Sequence, residues 1–183
     1  MHLQSPSVIL ITGIMASGKS TVAQQLAERL EKSVHLRGDL FRRMIVNDRK
    51  EVKPDAGEAE QGQLRLRYRL AAQAADTYCA EGFNVIVQDV VVGRVLNDFI
   101  SMVKSRPFYV VALCPNVPSV EAREAGRSKK GYGSWTVEGL DQVLRQETPR
   151  IGLWLDSSGW TAEETADALL ERIDEALIVG EEG

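Results

Sequence analysis

Gly13-Ile-Met-Ala-Ser-Gly18-Lys19-Ser20 stands directly behind Val8-Ile9-Leu10-Ile11-Thr12 and directly ahead of a stretch with Val22, Leu26 and Leu30 on one stripe. The first run is continuous, β-branched and stopped by a glycine, as expected of a strand buried on both faces. The apolar residues four apart that follow line one face of a helix, reading Ser20 to Glu31 as helical. The junction fits G-x-x-x-x-G-K-[ST], a turn whose backbone cradles phosphate when it lies between a strand and a helix. Gly13 and Gly18 permit backbone angles and a close approach that a Cβ would block. The freed N–H groups and the helix N-terminus then form an anion nest. The expected ligand set is Gly13, Ile14, Met15, Ala16, Ser17, Gly18, Lys19, Ser20 and Thr21, with Lys19 reaching the β/γ oxygens and the Ser20 hydroxyl ligating Mg²⁺. ATP and Mg²⁺ are the expected cofactors.

Outward from that turn, strand-like runs alternate with helical stretches. Val34 to Arg37, Val85 to Gln88, Phe108 to Leu113 and Ile151 to Leu155 read as strands. Leu64 to Glu81, Arg94 to Lys104, Pro118 to Arg127 and Thr136 to Gln146 read as helices, and Thr161-Ala-Glu-Glu164 as a capping box opening the last one. Five strands alternating with helices predict an α/β fold, a parallel sheet covered on both faces. Asn47 to Gln63 is polar and reads as a mobile loop, and residues 127–135, polar and glycine-punctuated, as a small lid.

The 183 residues fit one domain spanning 1–183, at about 100–200 residues per domain. With 44% apolar and 26% charged residues the composition is that of a globular chain, which excludes disordered, collagen-like and coiled-coil readings. A net charge of −4 and no aromatic-plus-basic stripe argue against long nucleic acid as a partner. Cys79 and Cys114 sit in apolar stretches without CxxC spacing and read as buried thiols. No signal peptide and no run of about 18 apolar residues is present, so no membrane partner is expected and a cytoplasmic location is. The sequence does not speak to oligomeric state. His2 and His35 show no metal spacing, and Trp135, Trp154 and Trp160 read as core or rim residues.

Four further positions carry candidate chemistry. Asp39, in Arg37-Gly-Asp39-Leu-Phe-Arg42-Arg43, follows the second strand, where ligands of open α/β sheets lie. It reads either as a base accepting a hydroxyl proton or as the N-cap of a short helix. Asp89, after the third strand, reads as a holder of Mg²⁺ and its waters or as a polar strand-end turn residue. Arg123 and Arg127, four apart, share a helix face and lead into Lys129 and Lys130. They are either lid arginines that neutralise transferred phosphoryl charge or a solvated face paired with Glu121 and Glu124. Arg65, Arg67 and Arg69 lie two apart on a helix, so only Arg65 and Arg69 face together, and they read as a solvated face ahead of a substrate clamp.

The phosphate turn near the N-terminus, Gly38-Asp39, Val87-Gln88-Asp89 followed by Val-Val-Val-Gly93, and Val120-Glu-Ala-Arg123-Glu-Ala-Gly-Arg127 together resemble the small P-loop kinases. That group includes the shikimate, gluconate and adenylylsulfate kinases, and the nearest likeness is to its chloramphenicol phosphotransferase-like branch. The resemblance spans nearly the whole chain, and the turn at Gly13–Ser20 is its most specific part. It implies a three-layer sandwich with strand order 2-3-1-4-5. It further implies Asp39 as the base acting on a substrate hydroxyl, Arg123 and Arg127 as catalytic lid residues beside Lys19, and Asp156-Ser-Ser-Gly159 near adenine. At Arg42 the sequence departs from that branch. Gly38-Asp39-Leu-Phe-Arg42 looks more like the Gly-Asp-x-x-Arg of adenylylsulfate kinases, which makes Asp39, Arg42 and Asp89 the expected substrate-binding set.

The expectation is therefore an ATP-dependent kinase of a small hydroxylated molecule. A nucleotide or adenylylsulfate-type kinase is the alternative within the same chemistry. A nucleotide-driven switch acting through a protein partner is the alternative of another class. Against a GTPase, Leu113-Cys-Pro-Asn stands where an Asn-Lys-x-Asp base-reading motif would follow the fourth strand.

Overall fold

The computed structural model describes residues 3–128 and 130–180. Lys129 and His2, both singled out above, lie outside the described residues. Five parallel strands, β1 (Val8–Gly13), β2 (Ser33–Arg37), β3 (Asn84–Gln88), β4 (Phe108–Leu113) and β5 (Leu153–Leu155), form one sheet in the order β2-β3-β1-β4-β5. Every residue of β1 and β4 is buried, which accounts for their unbroken apolar runs.

Strand alternation sends most strand side chains to one of two cores, while Trp154 of β5 packs against a third cluster around Ile14, Val120 and Leu144. Val8, Leu10, Val85 and Val87 meet α3 (Glu58–Ala80) and α4 (Val95–Met102) through Tyr68, Ala71, Ala75, Leu96 and Phe99. Ile9, Ile11, Ile86, Val111 and Leu113 meet α1 (Lys19–Arg29) and α7 (Ala162–Glu171) through Val22, Leu26, Ala166 and Leu169. The capping box at Thr161 and Glu164 forms as the sequence predicts.

Several boundaries differ from the sequence expectation. Helix α3 starts six residues before Leu64, at Glu58, so the polar loop ends at Gly57 and the rest of the expected mobile region is the first turns of a helix. Propensity explains this, because Glu58-Ala-Glu-Gln is a good helix start with acidic residues in the first turn. The expected helix Thr136–Gln146 divides into α6 (Val137–Gln142) and a π turn over Val143–Glu147. Thr148, which closes that turn, donates its hydroxyl to the Val143 carbonyl at 3.0 Å and accepts from the Gly93 amide at 2.6 Å. Helix α5 (Val117–Ala125) stops before Arg127, so Arg123 and Arg127 do not share a helix face.

Candidate active site

The turn between β1 and α1 is built by two glycines. Gly13 has φ +148, and a Cβ there would lie 2.6 Å from the Leu113 carbonyl of β4. Gly18 is left-handed at φ +95 and caps α1 without a side chain, which keeps the helix N-terminus open to a ligand. Inside the turn the Lys19 ammonium is buried and donates to the Ile14 carbonyl at 2.7 Å. Burial pushes it down to about 7, with Arg127 and Arg67 acting the same way and Asp89 opposing. The Ser17 hydroxyl is buried without a hydrogen-bond partner. A buried amine and an orphaned hydroxyl beside a bare helix N-terminus fit the phosphate chain of a nucleotide.

The turn opens on a cavity of about 880 Å³, room for a nucleotide and a small acceptor together. Its walls are the turn, the end of β2, α2 (Asp39–Arg43), the loop after it, the end of β3, and residues 130–135. The lid segment is fastened over it at two points. The Tyr132 hydroxyl donates to Met15 O at 2.6 Å, and the Trp135 indole N–H donates to Val52 O at 3.0 Å.

Asp39 faces this cavity as the first residue of α2. Gly38 is the N-cap and no side chain caps the helix, so the capping alternative for Asp39 does not hold. Gly38 is required for space, since a Cβ there would collide with the Asp89 carboxylate. Both Asp39 oxygens accept from arginine, Oδ1 from Arg42 Nε at 2.9 Å and Oδ2 from Arg43 Nε at 2.6 Å, and Arg67 lies 3.6 Å away. Half-burial works against the charge, but these guanidiniums outweigh it and hold the carboxyl below its ordinary 3.8.

Asp89 and Ser20 both line the cavity but make no hydrogen bond with each other. Asp89 is 1% exposed and points to the α3 side of the sheet, where Arg67 grips it through both Nε (2.8 Å to Oδ2) and Nη2. The residue that meets the Ser20 hydroxyl is Gln88, whose Oε1 accepts from it at 3.2 Å. Ser20 and Gln88 offer hard neutral oxygens at the cavity wall, and Asp89 supplies negative charge close enough to act on Lys19. This donor set fits Mg²⁺ carried in on phosphate oxygens rather than held by a protein cage.

Two residues escape the sequence reading. Gln88 sits one position before the expected metal carboxylate. Arg67, part of a solvated face by its spacing alone, has a side chain only 12% exposed and joins Asp89 to Asp39. Of the lid arginines, Arg123 lines the cavity and donates to Ser17 O at 3.2 Å and to Ser157 O at 2.9 Å, so it braces the phosphate turn. Arg127 lines the cavity just past the end of α5 and pairs with Glu124 at 3.0 Å. The loop Asp156–Gly159 braces Arg123 and Asn116 and is not among the residues lining the cavity.

The Arg67–Asp89 pair gives a stability prediction. Arg67→Met leaves a buried carboxylate without its counter-charge, and we expect a loss of about 3–5 kcal/mol in urea unfolding. Arg67→Met combined with Asp89→Leu restores most of that loss, because the unpaired charge is then gone. Equal instability of the single and double variants would show that packing, not charge, is what Arg67 supplies.

A family model described as "AAA domain" matches residues 8–149. No curated protein matches the sequence. Among solved structures, the chain is similar to a sugar kinase from Janibacter sp. HTCC2649 at 17% identity, covering 94% of this chain and 96% of that one with a TM-score of 0.68. It is similar to the Mycobacterium tuberculosis APS kinase in complex with AMPPNP and APS at 18% identity, 94% and 99% coverage and a TM-score of 0.67. A third, the thymidylate kinase of Candida albicans, shares 17% identity over 97% of each chain with a TM-score of 0.62. The sheet order and these likenesses are those of the P-loop kinase fold.

Proposed function

The chain belongs to the AAA domain family, and from that premise we propose that it is an ATP-dependent phosphotransferase acting on a hydroxyl of a small molecule. The observation that carries this reading is that the buried Lys19 of the phosphate turn and the Asp39 carboxylate open on one cavity. The proposed nucleotide set is Gly13 to Thr21, with Mg²⁺ at Ser20 and Gln88 and with Asp89 adding charge from behind. When bound, the ion neutralises charge on the phosphate oxygens. Lys19 and Arg127 draw the phosphate chain toward the helix N-terminus, and Arg123 keeps the turn in shape. Asp39 orients the acceptor hydroxyl and takes its proton as transfer completes. Residues 130–135 exclude water, which would otherwise take the phosphoryl group.

The likeness to the chloramphenicol phosphotransferase-like branch, the single-domain organisation and a cytoplasmic location belong to this proposal. Among the described residues no helix is long and apolar enough to cross a membrane.

The test is transfer from γ-labelled ATP to a panel of nucleosides, sugars and amphenicol-like alcohols. Label on an acceptor oxygen supports the reading. ATP hydrolysis that rises only with a protein partner, and labels no acceptor, would replace it with a nucleotide-driven switch.

A further inference from the structure

We propose that His35 is a positioning residue of the Mg²⁺ site, one that turns the Gln88 side-chain amide so that its oxygen faces the cavity and its NH₂ faces the imidazole. The inference rests on the phosphotransfer reading and concerns how the same site is kept in order.

Placement is the first ground. In the parallel register of β2 and β3, His35 lies opposite Ile86 and Arg37 opposite Gln88, so strand parity puts His35 and Gln88 together on the α1 face. Ser20, Gln24 and Glu28 stand four apart on α1 and share one stripe of it. The Ser20 hydroxyl donates to Gln88 Oε1 at 3.2 Å, and Gln24 Nε2 donates to Glu28 Oε1 at 2.9 Å. Between these two contacts stands the imidazole, with Nδ1 2.8 Å from Gln24 Oε1. Its Nε2 is buried and makes no hydrogen bond, and the Gln88 amide lies close enough to act on the ring.

Donor and acceptor chemistry is the second ground. A carboxylate only accepts, so Glu28 turns the Gln24 NH₂ toward itself and leaves the Gln24 oxygen for His35. The proton of the neutral ring therefore sits on Nδ1, and Nε2 is a bare acceptor. Burial, with the charge of Arg37 beside it, keeps the ring neutral by holding it below its ordinary 6.5. A bare, buried Nε2 calls for a donor, and the only donor on the Gln88 side chain is its NH₂. A hard cation takes oxygen alone, whereas an unaided amide presents either end, because the two are alike in shape. His35 removes the wrong orientation. With the NH₂ on Nε2, the oxygen is left toward Ser20, the sense of the Ser20 contact itself.

The test is how far Mg²⁺ tightens binding of a non-hydrolysable ATP analogue, by isothermal titration with and without the ion. His35→Phe keeps a ring and drops both nitrogens. It should reduce that tightening about 10–100-fold, the usual cost of losing a partner behind a metal ligand, and leave metal-free affinity unchanged. In a Gln88→Glu background the two carboxylate oxygens are equivalent and nothing needs turning, so the same substitution should cost nothing. An equal loss in both backgrounds makes His35 a packing residue and overturns the proposal, as does no loss in either. Analogue binding that Mg²⁺ does not tighten in the wild-type protein overturns it too. Long-range ¹H–¹⁵N spectra give a readout that needs no nucleotide and no change at His35. The chain has two histidines, and the imidazole that remains in His2→Asn should carry its proton on Nδ1 and none on Nε2. The opposite tautomer sinks the inference whatever the titrations give. An analogue that fails to bind in either condition strikes the phosphotransfer reading instead, and the tautomer then decides whether His35 can orient Gln88.

Discussion

Lys19→Ala should lower kcat/KM for Mg²⁺-ATP by about a thousandfold. A unit charge about 4 Å from a phosphate oxygen, at an effective dielectric near 20, contributes about 4 kcal/mol, and each 1.36 kcal/mol is tenfold. The wild-type protein should also reveal this lysine through pH. Burial holds the empty-state ammonium down to about 7, whereas a triphosphate beside it restores the charged form. Binding therefore takes up a proton, about half of one at pH 7 and about nine-tenths at pH 8. Nucleotide affinity should fall by as much as tenfold per pH unit above 7. Titration in buffers of different ionisation enthalpy measures the uptake directly, and Lys19→Ala should abolish it.

The sign on stability is opposite. Between about 7 and the ordinary 10.5 the unfolded chain binds the Lys19 proton and the empty folded protein does not. Stability of the empty protein from this group therefore rises with pH across that window, while the stabilisation by nucleotide shrinks. A nucleotide thermal shift that stayed constant from pH 7 to 9, with no proton uptake, would place Lys19 outside the phosphate site.

What the sequence makes legible depends on the range of the interaction. The turn at Gly13–Ser20 is specified by its own residues and two flanking patterns, so it can be read without knowing what it packs against. Asp89 and Gln88 both line the cavity, and β-strand parity divides them: Val85, Val87 and Asp89 lie on the α3 face, and Ile86 and Gln88 on the α1 face, where Gln88 meets Ser20. Counting by twos finds Gln88. Arg67 is hidden for a different reason. Its counter-charge lies 22 residues away in sequence, and only the packing of α3 on β3 joins them. The trace it leaves is the stripe Leu64, Tyr68, Ala71, Ala72, Ala75 and Cys79, which has Arg67 on its flank, one turn before Ala71. Helix α5 defeats the spacing argument because Gly126 ends it before the second arginine arrives.

Asp39→Asn should still bind Mg²⁺-ATP within a few-fold and lose phosphoryl transfer by about 10²–10⁴, the usual contribution of a positioned general base. The low proton affinity of Asp39 is compatible with that role. Phosphoryl transfer passes through a loose transition state in which the hydroxyl keeps most of its proton, so a base is needed for aim first and for proton capture late. Because arginines hold the carboxyl below 3.8, Asp39 stays ionised and should place no acid limb on the rate between about pH 5 and 7. Any limb in that region must come from another group, and the alkaline limb belongs to Lys19. The amide that replaces the carboxylate keeps one accepting oxygen but loses the charge, so the orienting bond to the hydroxyl survives and the proton has nowhere to go. Single-turnover rates with saturating nucleotide separate the two functions. A rate near wild type would reduce Asp39 to an anchor for Arg42 and Arg43 and remove it from the chemistry.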